Sequence, residues 1–319
     1  MTAVSGLVAR RRMARPRGEA SLMPLGAVGA PRVAVSSAIP RIIHQTYPTR
    51  ELPDEFRDAR DVVQAMNPAW EYRFYDDAAI DAFIAREYPV QVLECYRRIA
   101  PVYGAARVDL FRYLLMFRCG GVYLDIKTKM LTPLDAVLRD DDEFVSAHWD
   151  HDPAGPYASF GRHPELAWHA RGELQQWHII TRPGHPFLEA VVRRVLWNLE
   201  HYNPFRFGVG KMGVIRLTGP IPYTEAIVPL LSEQPHRILN SESELGLQYS
   251  IFSDGGQHKA MFRSHYSQLL VPIVPVRGVV ERPFSALMTV KRMVSRSQEC
   301  VYRAWHLLRH RAQPDAPSL

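Results

Sequence analysis

The chain has 319 residues, of which 47% are hydrophobic and 23% charged, and its formal net charge is +6 at pH 7. This length and composition suit one large globular domain and exclude collagen-like and intrinsically disordered classes. The charge is concentrated at the ends, because residues 1–37 carry +5 and residues 288–319 carry +4, which leaves −3 for the middle. A nucleic-acid binder needs basic residues on its folded body, so we expect no nucleic-acid partner.

The two basic ends have different patterns. Residues 1–37 combine an arginine cluster with Gly, Pro and Ala, and we interpret them as a disordered basic arm. Residues 288–319 continue a pattern that starts at Leu287, with apolar residues at three- and four-residue steps and Lys or Arg between them. This predicts a basic amphipathic helix and tail. Such a helix suits an anionic membrane surface, although docking on its own domain explains the same pattern.

The cysteines indicate the compartment. Cys95, Cys119 and Cys300 are odd in number, widely spaced and without a zinc-type pattern. A disulfide scaffold is therefore not expected, and a reducing, cytoplasmic location is favoured.

The segment 38–287 reads as alternating strands and helices. Strands are predicted at 39–45, 71–75, 122–125, 143–148 and 178–180. Helices are predicted at 77–86, 89–99, 103–118, 186–200 and 220–231. Asp76 and Asp77 are expected to cap the first of these helices. This alternation predicts an α/β sheet with helices on both faces.

The densest chemistry lies around a helix, a Gly-Gly reversal and a strand. After the turn at Gly120-Gly121, four strand residues run back about 13 Å along the preceding helix. That distance corresponds to eight or nine residues of the helix. Asp125 should therefore lie level with Asp109 and Arg112, which share one helix face. A carboxylate at the carboxyl end of a strand, facing this pair, would form a polar pocket. The alternative is a surface ion pair, with Asp125 capping a turn.

Three sequence strings carry a resemblance to a known family. They are I-P-R-I-I-H-Q-T-Y (39–47), N-P-A-W-E-Y-R-F-Y-D-D (67–77) and R-V-D-L-F-R-Y-L-L-M-F-R-C-G-G-V-Y-L-D-I-K-T (107–128). Together they resemble glycosyltransferase family 32, the DXD-motif sugar-binding glycosyltransferases, which include mannosyltransferases and capsule enzymes. Weaker similarity extends to 182–186, 217–220 and 264–267.

The resemblance implies both a fold and a reaction. The fold would be GT-A-like, with a Rossmann-like nucleotide-sugar-binding sheet and helices on both faces. The reaction would move a sugar from a nucleoside diphosphate sugar to an acceptor hydroxyl, with retention of the anomeric configuration. The acceptor would be a saccharide or a lipid-linked glycan used in cell-surface polysaccharide synthesis. We therefore expect a peripheral enzyme at the cytoplasmic face of the inner membrane.

The match also implies roles for residues on the donor side. Asp109 and Arg112 would bind sugar hydroxyls, while Tyr123 and Asp125 would hold the ribose and the sugar. The end of the first strand would lie near the nucleotide, and the acidic pair after the second strand would lie at the pocket rim. These last residues are His44, Gln45, Thr46, Asp76 and Asp77.

Further candidates come from the start of the third string and from later segments of the chain. Arg107 is added to the donor side, as are Thr218 and Gly219, which precede a predicted helix N-terminus suited to oxyanions. Thr218 as an ordinary N-cap explains the same pattern. The loop after the fourth strand points to an acceptor site with His148, Asp150 and Trp177. Metal binding by this loop, and core packing of Trp177, are the alternatives.

The sequence departs from the DXD pattern where a metal ligand is expected. The motif is Asp125-Ile126-Lys127, and a lysine ammonium offers only hydrogen-bond donors. We hypothesise that Lys127, with Lys129 or Arg112, neutralises the diphosphate in place of the metal, which would make it catalytic together with Asp125, Asp109 and Arg112. The competing interpretation keeps Mn²⁺ or Mg²⁺ on Asp125 and His265, with oxygens of the donor.

Two other functions fit the same residues. One is a membrane-associated protein that binds a nucleotide sugar without transferring it. The other is a metal-dependent hydrolase that uses Asp109, Asp125 and His148. Release of sugar from the donor distinguishes a transferase, which leaks some sugar to water, from a binder.

Overall fold

The structure is a computed structural model that describes residues 38–252, 269–275, 283–284, 286–287 and 289. The predicted arm at 1–37, His265 and almost all of the predicted helix and tail at 288–319 lie outside these residues. The folded body occupies the part of the chain in which strands and helices were expected to alternate.

Eight strands lie in the described part of the chain, and six of them form one sheet. They are β1 (Ile42–Thr46), β2 (Glu71–Tyr75), β3 (Gly121–Leu124), β4 (Lys129–Met130), β5 (Phe144–His148), β6 (His178–Thr181), β7 (Arg237–Asn240) and β8 (Leu247–Gln248). The sheet order is β2-β1-β3-β6-β5-β7, and β4 pairs with β8 separately. Strand β1 is parallel to β2 and β3, β6 is antiparallel to β3 and β5, and β7 is parallel to β5. The sheet is therefore mixed.

Helices cover both faces of this sheet. They are α1 (Asp54–Met66), α2 (Asp77–Glu87), α3 (Val90–Arg98), α4 (Gly104–Cys119), α5 (Pro186–Glu200), α6 (Pro204–Phe207), α7 (Gly210–Leu217) and α8 (Pro220–Ile227). A large core joins one sheet face to helices α2 to α8, and a smaller core joins the other face to α1 and the β4–β8 pair. The predicted α/β class with helices on both faces is confirmed.

Most of the predicted elements are present with small shifts at their ends. The strand Glu71–Tyr75 and the helix Pro186–Glu200 have the predicted bounds. Asp76 is the N-cap of α2, where its side chain accepts a hydrogen bond from the backbone of Ala79. Thr218 is not the N-cap of α8, since Gly219 holds that position and Thr218 follows α7. Helices α1, α6 and α7 and strands β4, β7 and β8 were not predicted.

The reversal between α4 and β3 depends on two glycines. Gly120 and Gly121 have φ angles of 63° and 96°, in the left-handed region that other residues rarely adopt. A Cβ atom on Gly120 would lie 2.6 Å from Pro183 and 2.8 Å from the carbonyl oxygen of Thr181. This tight turn allows β3 to run back along α4, and it sets the position of the residues that follow β3.

None of the described helices is both long and apolar enough to cross a lipid bilayer.

Candidate functional site

Asp125 lies at the carboxyl end of β3, directly after the last strand residue. Its backbone N–H donates to the carbonyl of Trp177, and its own carbonyl accepts from the backbone of Thr128, at 2.8 and 2.9 Å. Strand β1 is parallel to β3, so the carboxyl ends of both strands lie at the same edge of the sheet. Ligands of open α/β sheets bind at such an edge.

Arg112 on α4 joins the two carboxylates predicted to lie level with it. Its Nη2 atom lies 3.1 Å from Oδ1 of Asp125 and 3.5 Å from Oδ1 of Asp109. The guanidinium also lies over the ring of Tyr123, 4.8 Å from the centroid. Burial alone would lower the pKa of Arg112. The negative charges around it, Asp125 first, outweigh this effect and raise the pKa, so the group stays cationic. The spacing argument from the Gly-Gly turn is thereby confirmed, and a surface ion pair is excluded.

Asp109 is almost fully buried in this cluster. Its Oδ2 accepts from the hydroxyl of Thr218 at 3.0 Å, and its Oδ1 accepts from the amide of Gln176 at 3.3 Å. Burial raises the pKa of Asp109 to about 6, although Arg112 and Thr218 oppose the shift. Thr218 therefore acts on the site through its side chain, as part of the cluster.

Gln176 is a site residue that was not predicted from the sequence. Its carbonyl oxygen accepts from Nη1 of Arg112 at 2.9 Å, and its side-chain oxygen accepts from the hydroxyl of Tyr113. It comes from the long loop between β5 and β6, more than sixty residues from α4 in sequence. Only the fold brings these residues together.

The end of β1 reaches the same cluster through its last residues. The hydroxyl of Thr46 lies 3.1 Å from that of Tyr123, which donates to Oδ1 of Asp125 at 3.2 Å. The amide of Gln45 accepts from the hydroxyl of Tyr72 at 2.9 Å and donates weakly to the Asp125 carbonyl at 3.4 Å. Tyr123 and Gln45 are therefore in contact with Asp125, and Thr46 is linked to it through Tyr123.

His44 lies apart from this chain of contacts. Its side chain is fully buried, with ring nitrogens 3.2 Å from the hydroxyl of Tyr75 and 3.0 Å from the carbonyl of Gly120. Burial lowers the pKa of His44 to about 4, so the ring is neutral at physiological pH. Because both nitrogens are occupied inside the protein, the expected contact of His44 with a nucleotide is corrected to a structural role that supports the Gly-Gly turn.

Lys127 lies beside Asp125 and rests on an aromatic ring. Its ammonium is 3.8 Å from the centroid of the Tyr249 ring, and its side chain is half-buried. Burial lowers the pKa of Lys127 to about 8, although Asp125 opposes the shift. Tyr249 itself packs against Trp149 and Trp177 with ring centroids 5.1 and 5.7 Å away. Like Gln176, Tyr249 was missed because its contacts are remote in sequence.

The remaining donor-side candidates do not touch the Asp125 cluster. Asp76 caps α2 and pairs with Arg50 at 2.9 Å, and the Asp77 backbone donates to Pro48 at 3.3 Å. Both follow β2, and so they lie at the same sheet edge as Asp125. Arg107 donates to the carbonyl of Ile99 and lies over the ring of Tyr96. Gly219 supplies the N-cap of α8.

The expected acceptor residues are not brought together as one group. His148 is buried, and its Nδ1 lies 3.0 Å from the carbonyl of Glu173. Asp150 is exposed and accepts weakly from Asn240 at 3.4 Å. Trp177 is 4% exposed and packs in the smaller core. Because a stacking platform needs an open ring face, the expected acceptor contact of Trp177 is corrected to core packing.

The described residues do not form a metal-ligand set. No three His, Cys, Asp or Glu side chains in that part of the chain group as ligands would. Two cations, Arg112 and Lys127, lie near Asp125, and Lys127 stands at the position of the second carboxylate of the DXD motif. A metal on Asp125 would thus need donor oxygens or His265, which lies outside the described residues. The grouping of Asp109, Asp125 and His148 expected for a hydrolase is likewise absent from the described residues.

Comparison with known families identifies the region that contains this cluster. The family model described as a glycosyltransferase sugar-binding region containing a DXD motif matches residues 53–144. That segment includes Asp109, Arg112, Asp125 and Lys127. Residues 53–144 of this chain are therefore similar to the sugar-binding region of this glycosyltransferase family. The resemblance seen in the sequence strings is thereby confirmed, and the glycosyltransferase region covers the carboxylate cluster but not Gln176, Thr218 or Tyr249.

Several curated proteins that are similar to this chain come from fungi. Inositol phosphoceramide mannosyltransferase 3 of Schizosaccharomyces pombe is 36% identical over 58% of this chain and 44% of its own length. Mannosyl phosphorylinositol ceramide synthase SUR1 of Saccharomyces cerevisiae is 28% identical over 57% of this chain and 40% of its own. The chain therefore spans less than half the length of either relative.

Among solved structures, the PaToxG glycosyltransferase is similar at a TM-score of 0.45 and 13% identity. The alignment covers 80% of this chain and 88% of that one.

Proposed function

We propose that this protein transfers a sugar from a nucleoside diphosphate sugar to a hydroxyl group of a glycolipid or saccharide acceptor. The observation that carries the proposal is the ion-paired cluster of Asp125, Arg112 and Asp109 at the carboxyl end of β3. It lies within the segment matched by the sugar-binding family. The sugar is proposed to be mannose, because both curated relatives are named for mannosyl transfer to a lipid.

The cluster suits recognition of a polyhydroxylated ligand. A carboxylate accepts hydrogen bonds from two hydroxyl groups, and a guanidinium donates to oxygen atoms in a fixed plane. Arg112 and Asp109 are already oriented by Gln176 and Thr218, so little side-chain entropy is lost when a sugar binds. Asp125 is more exposed than either of them, at 22% of its side chain, and it is the carboxylate that meets the ligand first.

The transfer step breaks the bond between the anomeric carbon and the diphosphate oxygen and forms a bond to the acceptor oxygen. The nucleoside diphosphate leaves with the bonding electron pair, and the acceptor hydroxyl loses its proton, which a diphosphate oxygen accepts. We propose retention of the anomeric configuration and a place in cell-surface glycan synthesis at a cytoplasmic membrane face. The product's anomeric coupling constant, measured by NMR, tests the first of these.

Lys127 is proposed to neutralise the departing diphosphate. Its ammonium is two residues beyond Asp125 and is held over Tyr249, where low solvent exposure strengthens its attraction to phosphate. In an enzyme with a complete DXD motif, this positive charge comes from a divalent metal that the second carboxylate helps to hold. The alternative places Mn²⁺ or Mg²⁺ on Asp125 and His265.

The experiment that tests the function uses the full chain and a panel of nucleoside diphosphate sugars, with GDP-mannose first. A glycolipid acceptor and a mannoside are each supplied, and both transfer and sugar release to water are measured. Transfer from one donor supports the proposal. Donor binding without transfer or release would instead show a non-catalytic binding protein, and cleavage of simple phosphoesters without a nucleotide sugar would show a hydrolase.

Metal removal separates the two proposals for charge neutralisation. We expect transfer in excess EDTA to stay within about twofold of the untreated rate, because Lys127 supplies a positive charge at the diphosphate. The measurement is the initial rate with and without EDTA, followed by addition of Mn²⁺ or Mg²⁺. Loss of the activity in EDTA, with recovery on adding metal, would contradict the role of Lys127.

A further inference from the structure

A cavity of about 440 Å³ lies where β2 forms one edge of the sheet, between that strand, α2 and the end of α4. Its lining combines three arginines and one glutamate with two aromatic rings and a cysteine. The charged residues are Arg73 of β2, Arg86 and Glu87 of α2, and Arg118 of α4. A concave space with several guanidinium groups on its wall is a candidate site for an anionic ligand.

This cavity is separate from the carboxylate cluster around Asp125. Cys119, which lines the cavity, is the last residue of α4, ten residues beyond Asp109 and seven beyond Arg112. Those separations correspond to about 15 Å and about 10 Å along the helix. Helix α2 starts just after the carboxyl end of β2, and Glu87, its last residue, lies about 15 Å along the helix from that end. The proposed donor site and the charged groups of the cavity therefore lie toward opposite ends of α4.

Positive charge is in excess around this cavity. Nε of Arg86 donates to Oε1 of Glu87 at 2.7 Å, and Nε of Arg118 donates to Oε2 of the same carboxylate at 2.8 Å. Neither guanidinium makes another hydrogen bond within the described part of the chain, so their terminal amino groups remain available to a ligand. Arg73 pairs at 2.7 and 2.9 Å with Glu71, which does not line the cavity. Three guanidiniums thus face two carboxylates, and an anion would balance the charge.

The half-buried thiol of Cys119 shows that the three guanidiniums converge. Burial raises the pKa of this thiol, and Glu87 raises it as well, whereas the three arginines all lower it. These arginines are the ones that line the cavity, Arg73, Arg118 and Arg86. Each cation is therefore close enough to act on the same sulfur atom, and an anion beside Cys119 would be attracted by all three.

Aromatic side chains give the cavity an apolar wall. The rings of Tyr75 and Phe83 meet edge to face with centroids 6.1 Å apart, and the guanidinium of Arg86 lies 5.6 Å from the Phe83 centroid. Tyr75 is held in place, because its hydroxyl lies 3.2 Å from Nδ1 of His44 and its ring packs against Phe111 at 5.3 Å. Side chains that are already fixed lose little entropy when a ligand binds. The wall therefore suits the planar, apolar part of an organic anion.

We propose that this cavity binds a small organic phosphate with an aromatic or other planar part. A phosphate group carries close to two negative charges at pH 7 and presents three acceptor oxygens, which match the available amino groups of Arg86 and Arg118. The planar part would lie against Tyr75 and Phe83. The volume lies within the range of roughly 300–1,000 Å³ that is common for small-molecule sites. The proposal does not rest on sugar transfer, because the cavity shares no residue with the carboxylate cluster.

Cys119 provides a direct measurement, because a ligand in the cavity would cover its thiol. The full chain is treated with N-ethylmaleimide in the presence of phenyl phosphate, and alkylation of each cysteine is followed by mass spectrometry. We expect phenyl phosphate to slow the alkylation of Cys119 about tenfold at ten times its dissociation constant, as mass action requires. Phenol, inorganic phosphate and glucose 6-phosphate each lack either the phosphate or the aromatic part, and each should bind at least about fivefold more weakly.

Substitutions at the cavity assign the binding to it. Arg86→Gln and Arg118→Gln should each raise the dissociation constant of phenyl phosphate about tenfold, since each loses one charged contact with the phosphate. Arg97→Gln is the matched control, because Arg97 also pairs with a carboxylate of α2, that of Asp81, but does not line the cavity. It should bind as the native chain does. Titration calorimetry measures the affinities, and melting curves establish that each variant is folded.

Several results would overturn the proposal. One is unchanged alkylation of Cys119 in phenyl phosphate, and another is equal binding of phenol, inorganic phosphate or glucose 6-phosphate. A folded Arg86→Gln or Arg118→Gln variant that binds like Arg97→Gln would do the same, and two variants keep this comparison decisive if one of them unfolds. Loss of protection in folded Asp125→Asn would place the phosphate in the carboxylate cluster instead. None of these results depends on sugar transfer, so a failure here is distinct from a failure of the proposed activity.

Discussion

Replacing Asp125 by asparagine should reduce sugar transfer by roughly 10²- to 10³-fold, the range typical of losing one electrostatic contact in an active site. The change keeps the shape of the side chain and removes its charge. Nη2 of Arg112, 3.1 Å from Oδ1, would then lose its stronger carboxylate partner and keep only Asp109 at 3.5 Å. The guanidinium is 7% exposed, so water cannot compensate. Initial rates and donor affinity by calorimetry measure the effect.

The control for this change is Asp81→Asn on α2. Asp81 also pairs with an arginine, Arg97, but both side chains are substantially exposed, at 35% and 58%. Exposed pairs contribute little, so we expect transfer and stability to change only slightly. A melting curve for the Asp125 variant separates loss of folding from loss of function. If folded Asp125→Asn transferred sugar within about twofold of the Asp81 control, the site would be assigned wrongly.

The heart of the cluster could be predicted from the sequence because it is built from neighbouring elements. Asp109, Arg112 and Asp125 lie on one helix and the strand that follows it, and helix rise, strand rise and a glycine turn fix their spacing. The turn itself is visible in the sequence as Gly120-Gly121, and the structure gives both residues positive φ. Local geometry was therefore enough to place three side chains.

The rest of the cluster depends on packing between distant segments, which the sequence does not reveal. Gln176 and Tyr249 belong to segments that meet α4 and the turn after β3 only in the folded chain. The same limit explains the errors. His44 and Trp177 have polar atoms and aromatic rings that suit a binding site, but burial decides their roles, and burial is a property of the whole fold.

The uneven charge distribution of the sequence can now be related to the structure. The folded body is not generally basic, yet two cations meet at Asp125, and Lys127 is held there at a cost in folding free energy. Burial lowers its pKa to about 8, so the folded state disfavours the charged form. This cost is fully present below pH 8 and decreases as pH rises toward the ordinary lysine pKa. A charge kept in an unfavourable place is typical of a functional group.

Replacing Lys127 by methionine should therefore separate activity from stability. We expect transfer to fall about 10²-fold, because the diphosphate loses its counter-charge, while the melting temperature stays equal or rises. Lys211→Met is the control, since Lys211 is an exposed lysine on α7 outside the cluster, and it should retain most of the activity. A residue with only a structural role would lower both quantities together.

The pH profile gives a second, independent measurement. Transfer by the native chain should decline above about pH 8, by about tenfold per pH unit, as the Lys127 ammonium loses its proton. Lys127→Arg keeps its charge throughout this range and should remove the decline, whereas Lys127→Met should be slow at every pH. A decline that persists unchanged in the arginine variant would assign the titration to another group. Retained activity in the methionine variant would show that the diphosphate is neutralised by something other than Lys127.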